Sequence, residues 1–151
     1  MANYDWITSD FIRHETGLDE VNSLIRQLSP DAELLTMDAA IYIAEQEQSL
    51  WRGAFDSQGR LRGMATMTPR YKPTGVALYL DDLIVDESFE EWGIGRELIR
   101  QLVEQARQEC PLPIRVADWS CHSDRIRANK FYEKIGAVKR STNCYSYKIV
   151  S

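Results

Sequence analysis

At 151 residues the chain suits one domain with one core, and 44% hydrophobic and 27% charged residues exclude a disordered chain. A formal net charge of −5 argues against general attraction to nucleic acid or anionic membrane, and no apolar run nears the roughly 18–20 residues that span a bilayer. Met1 to Asp10 has no basic start followed by an apolar stretch, so a single domain over residues 1–151, residing in the cytoplasm, is expected.

A short strand is expected from Trp6 to Arg13. Thr16 and Asp19 then form a capping pair for a helix in which Leu18, Val21, Ile25 and Leu28 recur at helical spacing, and Pro30 stops it. A less regular helix covers Glu33 to Gln46. Leu50–Phe55 and Leu61–Thr68 read as strands joined by Ser57-Gln58-Gly59, with Pro69 and Pro73-Thr74-Gly75 marking a loop. Val76 to Val85 is the most strand-like segment. Gly93 to Cys110 is an amphipathic helix carrying Leu98, Leu102 and Ala106, ended by Pro111 and Pro113. Ile114 to Trp119 is a strand that should lie parallel to Val76–Val85, with a right-handed crossover. Ser123 or Asp124 caps a last helix bearing Ala128, Phe131, Tyr132 and Ile135, which Gly136 ends. Val138–Arg140 and Tyr145–Val150 suit a closing antiparallel pair.

Cys110, Cys121 and Cys144 lie far apart, with no pair at metal-ligand spacing, so they read as free thiols and no metal site is expected. His14 and His122 have no evident carboxylate or cysteine partner and read as loop polar residues. Arg125, Arg127, Lys130 and Lys134 make a basic run that suits a solvated face or a phosphate contact.

Gly93-Ile94-Gly95 falls where the central strand has ended and the long helix begins. Glycines let the backbone approach a ligand closely, and the first helical N–H groups have no partner within the helix, so the turn can hold phosphate oxygens. Two glycines at a helix start also serve a plain turn. The context points further. Leu80-Asp81-Asp82-Leu83-Ile84-Val85-Asp86, followed by Gly93-Ile94-Gly95-Arg96-Glu97-Leu98-Ile99, resembles the central motif of the GNAT superfamily of N-acetyltransferases. Ala128-Asn129-Lys130-Phe131-Tyr132-Glu133-Lys134-Ile135-Gly136-Ala137 resembles the second motif of that family, with Ala137 where phenylalanine is usual. Glu90 stands where the family has glutamine or arginine, and Glu91 where it has glycine.

The resemblance implies an α/β GNAT fold: a mixed central sheet of about six to seven strands with about four helices, two parallel strands splaying apart to form the cofactor cleft. It implies acetyl-CoA as the acyl donor. The main chain around Glu91, Trp92, Gly93, Ile94, Gly95 and Arg96 would receive the pyrophosphate, and that of Leu83, Ile84 and Val85 the pantetheine. Asn129 and Arg125 would add contacts from the last helix. It also implies that Tyr132 protonates the departing thiolate, although without the resemblance its place on the apolar stripe suits a core residue.

Direct attack requires a neutral amine, and an alkyl ammonium of pKa ~10.4 is only about 0.04% neutral at pH 7. A carboxylate that takes the proton addresses that barrier. Asp81 and Asp82 are the candidates, and strand alternation sends them to opposite faces, so only one should face the cleft. Tyr79-Leu80-Asp81-Asp82 resembles diamine acetyltransferases, which use the Asp81 position, whereas other members use that of Asp82. The acidic residues Asp31, Glu33, Asp38, Glu45 and Glu47 suit a cationic small-molecule amine as acceptor, or simply a solvated helix face. A homodimer stays open. The competing reading, motivated by Glu90 and Glu91, is an acetyl-CoA-binding sensor or interaction module that has kept the fold without catalysis.

Overall fold

The computed structural model describes residues 4–7 and 15–147. His14 and the expected strand beyond residue 7 lie outside them, as does the end of the expected last strand. The described chain packs as two units, one ending at Trp119 and one beginning at Ser120.

The first unit is built on a five-stranded sheet in the order β1-β2-β3-β4-β5. Its strands are β1 (Asp5–Ile7), β2 (Leu50–Phe55), β3 (Leu61–Lys72), β4 (Gly75–Val85) and β5 (Ile114–Asp118). The first four pair antiparallel, and β5 runs parallel to β4 as the strand–helix–strand pattern requires. Helices α1 (Glu15–Leu28), α2 (Met37–Ala44) and α3 (Ile94–Glu109) belong to this unit. No helix among the described residues is long and apolar enough to cross a membrane.

The two faces of the sheet carry different helices. Leu98, Leu102 and Ala106 of α3 are fully buried, and the helix approaches β3 so closely that a Cβ on Gly63 would stand 2.9 Å from Ile94 Cγ2. On the other face Leu18, Val21 and Leu24 of α1 form one cluster with Trp51, Met64 and Ile84 of the sheet. Three polar contacts fix α1. Glu20 accepts from Arg60 Nε at 2.6 Å and from the Leu61 N–H, and Gln27 Oε1 accepts from the Glu87 N–H. Asn22 clamps the α1–α2 loop by exchanging two hydrogen bonds of 2.8 and 2.9 Å with the main chain of Leu35.

Several expectations change. Thr16 lies inside α1 rather than at its cap. The second helix begins only at Met37, because the Leu35 main chain is held by Asn22 and the Thr36 hydroxyl caps α2 by accepting from the Ala39 N–H. Strand β3 continues through Pro69 to Lys72. The last β2–β3 pair is Leu50 with Met67, so at Pro69 β4 alone among the described strands flanks β3, and an edge tolerates the missing N–H.

Among the described residues the sheet has five strands rather than six to seven. The expected closing pair is absent among the described residues: residues 137–147 hold no regular structure, and Val138, Tyr145 and Tyr147 are exposed, so their alternation has no buried face to lock a register. The four helices are as expected, the fourth being α4 (Ile126–Lys134) of the second unit. Arg125 stands at its N-cap without a side-chain cap bond, in place of Ser123 or Asp124. Asp124 instead pairs with His122 Nδ1 at 2.5 Å, so His122 does have a carboxylate partner.

Where β4 ends, Arg62 bridges two carboxylates, Asp56 at 2.7 Å and Asp86 at 3.0 Å, and lies over the Phe89 ring. Burial raises the Asp56 pKa, but the Arg60 and Gln58 N–H groups and the Arg62 guanidinium outweigh it and hold the carboxyl below its ordinary value. A depressed folded pKa contributes stability above the unfolded value of about 3.9 and loses it as pH falls through the folded value. Arg62→Met is therefore expected to cost about 2 kcal/mol at pH 7, between the values for exposed and buried pairs. The deficit should shrink below pH ~4 as Asp56 protonates. Urea unfolding at pH 7 and pH 3 measures it, and an equal deficit at both would remove the ion pair as the cause.

Candidate active site

The site begins with a defect in the β3–β4 ladder. Thr66 pairs with Asp82 and Met67 with Leu80, so Asp81 is an extra residue without an opposite number. Such a bulge breaks the two-residue alternation of a strand. Its effect is to place both carboxylates on one side, where Asp81 and Asp82 line the same cleft, together with Thr66, Thr68 and Ser49. The expectation that they point to opposite faces is thereby corrected. The Thr68 hydroxyl donates to Asp81 Oδ2 at 2.6 Å, and the Thr66 hydroxyl to Asp82 Oδ2 at 3.2 Å. Thr66 Oγ1 also accepts from the Asp82 N–H at 3.1 Å, which pins the bulge. Both aspartates are exposed at the cleft, not sealed in the core.

The cleft measures about 340 Å³ and lies between the sheet and the α1–α2 side of the first unit. Ile84 lines it, whereas Leu83 and Val85 do not. The main chain of all three serves another purpose. The β4–β5 pairs end at Tyr79 with Asp118, while β4 continues six residues further, to Val85. Over Leu80–Val85 the strand keeps β3 on one side and has no pairing with β5 on the other. Strand β5 ends there, and an extended amide-bearing ligand can add along such an edge as a further strand.

A short 3-10 helix (Glu87–Trp92) leads from β4 to the glycine turn. It starts where Asp86 Oδ1 accepts from the Ser88 N–H. Gly93 takes φ +80°, a left-handed value that side chains resist, and caps α3 without any side-chain acceptor. The first intrahelical bond runs from the Glu97 N–H to the Gly93 carbonyl, which leaves the N–H groups of Ile94, Gly95 and Arg96 without an acceptor within the helix. Ile94 and Gly95 are buried and Arg96 is exposed. Three aligned donors at the positive end of a 16-residue helix suit a phosphate group, so the residues present fit the diphosphate of a nucleotide thioester. Glu90 is exposed on the 3-10 helix, and Glu91 and Trp92 contribute main chain to the same turn.

The second unit holds Arg125, Asn129 and Tyr132. Asn129 Nδ2 donates to the carbonyls of His122 and Arg125, both at 2.9 Å, so its amide ties the 122–125 turn to α4. Arg125 is exposed, as are Arg127, Lys130 and Lys134, in keeping with a solvated basic face. Tyr132 is half-buried beside the Phe131 ring, with centroids 5.4 Å apart. Burial raises the phenol pKa, Cys121 adds to the rise and Arg125 opposes it, so the group stays a neutral O–H donor through the physiological range. Gly136 at φ +91° ends the helix, with the Ala137 N–H bonded to the Tyr132 carbonyl. Of the thiols, Cys110 is buried, Cys121 half-buried and Cys144 exposed.

The bulge is what sequence reasoning missed. The only local signal was the pair of adjacent aspartates in an apolar strand, which calls for polar partners on the neighbouring strand, here Thr66 and Thr68.

Comparison with known proteins bears on the fold. Similar solved structures include an integron cassette protein from the mobile metagenome of Vibrio cholerae, 24% identical, covering 98% of this chain and 93% of that one with a TM-score of 0.77. An aminoglycoside 6'-N-acetyltransferase of Acinetobacter baumannii is 17% identical, with 99% and 100% coverage and a TM-score of 0.78. Glucosamine-6-phosphate N-acetyltransferase of Arabidopsis thaliana is 16% identical, with 96% and 98% coverage and a TM-score of 0.76. At such identities the likeness is one of fold. No match is found among curated protein sequences. The model of the acetyltransferase (GNAT) family matches residues 5–137, which takes in β4, its bulge, the glycine turn and α4, and the chain belongs to that family of acyltransferases.

Proposed function

We propose that this chain is an N-acetyltransferase that moves acetyl from acetyl-CoA directly to the primary amine of a cationic small molecule. One observation carries the reading: the β4 bulge sets Asp81 and Asp82 on one cleft, beside the stretch of β4 that β5 leaves unpaired. The first feature suits an ammonium and the second an extended acyl carrier.

In this reading the N–H groups at the Gly93 turn hold the diphosphate, and the main chain of Leu83–Val85 aligns the thioester arm. The acceptor arrives as an ammonium, and a carboxylate of the Asp81–Asp82 pair takes one proton to free the nitrogen lone pair. The N–C bond forms as the C–S bond breaks. Tyr132 gives its proton to sulfur and regains one from the amine nitrogen or from solvent, so one proton is released per turnover. Asn129 and Arg125 contribute from α4. No step is assigned to a metal or to a cysteine. The enzyme works in the cytoplasm, with no nucleic-acid or membrane partner, and a homodimer is compatible with it.

The test is acetyl-CoA binding by calorimetry beside thiol release over a panel of amines. Gly93→Ala forces a side chain into left-handed backbone at a cost of roughly 1–2 kcal/mol, so its acetyl-CoA Kd is expected to rise about 5- to 30-fold. An unchanged Kd in a folded Gly93→Ala variant would remove the turn from the site. Binding with no amine turned over would favour the sensor.

A further inference from the structure

The lining of the cleft says more about the acceptor than its charge. Its helix side is apolar, formed by Ile25 and Leu28 of α1, Leu35 of the following loop and Ile43 of α2. Trp51 and Met64 of the sheet continue that surface. The polar groups are gathered elsewhere and largely engaged with one another. Trp51 Nε1 donates to Ser49 Oγ at 3.0 Å, so the indole N–H is spent and the ring is left as an apolar wall. The hydroxyl protons of Thr66 and Thr68 are spent on Asp82 and Asp81. Among the described residues, what remains toward the cleft is chiefly carboxylate oxygen, which accepts and cannot donate.

A site of this composition selects. An ammonium finds acceptors at the aspartates, and whatever carries it must lie against hydrocarbon. Sugar hydroxyls placed there would lose water without gaining partners, a loss that hydrophobic surface does not return. A phosphate would meet two carboxylates. A second ammonium at the far end of a diamine would lie against Ile25, Leu28 and Leu35, whose side chains offer it no acceptor.

We propose that the acceptor is a primary monoamine carried on an apolar body, an alkylamine or arylalkylamine, with its ammonium at Asp81 and Asp82 and its hydrocarbon between α1, α2 and Trp51. This rests on the acetyltransferase function proposed above. It separates the chain from the enzymes of similar fold that are named for amino-sugar acceptors.

The experiment is a homologous series, propylamine to hexylamine, with 2-phenylethylamine, 1,4-diaminobutane, glucosamine and sisomicin alongside, followed by thiol release from acetyl-CoA. Burial of each methylene should raise kcat/KM about fourfold until the cleft is full, and 2-phenylethylamine should exceed glucosamine and the diamine by at least about tenfold. Leu28 is 39% exposed, so Leu28→Asn is a mild change for the fold. It should flatten the series while leaving acetyl-CoA affinity as it was. Thermal shift of the CoA-bound protein by the same amines gives a readout independent of turnover, with Tm rising along the series. A flat or falling dependence on chain length in both measurements overturns the inference, and so does an amino sugar or the diamine turned over tenfold faster than hexylamine. Those outcomes leave acetyl transfer standing. Failure of acetyl transfer itself is distinct: no acetyl-CoA bound in calorimetry and no thiol released with any amine.

Discussion

Asp81→Asn/Asp82→Asn is expected to lower kcat/KM at pH 7 by about 10²–10⁴-fold, the range a positioned proton acceptor supplies. An asparagine keeps the shape of the side chain and can still meet Thr66 and Thr68, so the bulge should persist. What it loses is proton affinity and negative charge. The deficit should depend on pH in a definite sense. At pH 7 an ordinary alkylamine is about 0.04% neutral, and the enzyme must take its proton. Near pH 10.4 half of the amine is neutral in solution, and the carboxylates have less to do. The ratio of wild-type to variant kcat/KM should therefore fall steadily from pH 7 to pH 10. Each single variant separates the pair, and the larger loss identifies the acceptor of the proton. A ratio constant across that range would mean that the aspartates only bind the ammonium electrostatically. An unchanged rate in the double variant would remove both from the chemistry.

That prediction depends on a feature the sequence does not display. Alternation along Val76–Val85 is a local rule, and it held on the β3 side from Gly63 to Thr66. It failed at Asp81 because a bulge is decided by which residue of β3 pairs with which of β4, and register is a tertiary property. Pro69 misled for a related reason: proline forbids a ladder bond, but whether a bond is needed depends on how far β2 extends, and β2 stops at Leu50. Asn22, whose side chain replaces helical partners for Leu35 and so delays α2, acts over 13 residues and leaves no periodic trace.

The legible parts were those determined within a few residues. Leu98, Leu102 and Ala106 recur every four residues and are all buried under the sheet. Gly93 announces a backbone that only glycine adopts easily, and it takes φ +80°. The parallel β4–β5 pair follows from strand–helix–strand order, whereas the length of β4 left beyond Tyr79 follows from where β5 ends, at Asp118. Motif spacing thus located the turn and α4, while the cleft and its apolar wall emerged only from packing.

Tyr132→Phe is expected to lower kcat by about 10²-fold or more while leaving the acetyl-CoA Kd within about twofold. The phenyl ring retains the packing beside Phe131, and the substitution removes one hydroxyl from a half-buried position. A thiolate leaving without a proton is the poorer leaving group, and the cost falls on the transition state, not on donor binding. Burial holds the phenol pKa above its ordinary value, with Cys121 adding and Arg125 opposing. The donor is therefore protonated below that raised value and lost as pH climbs through it. Wild-type kcat should stay level past pH 10 before it declines, and the decline should be missing in Tyr132→Phe. Arg125→Gln removes the opposing charge, so it should move the decline to still higher pH. A Tyr132→Phe variant that matches wild-type kcat with a well-used amine would make the hydroxyl structural. One that loses kcat and acetyl-CoA affinity together would place Tyr132 in donor binding, and the proton for sulfur would then have to come from water or the amine itself.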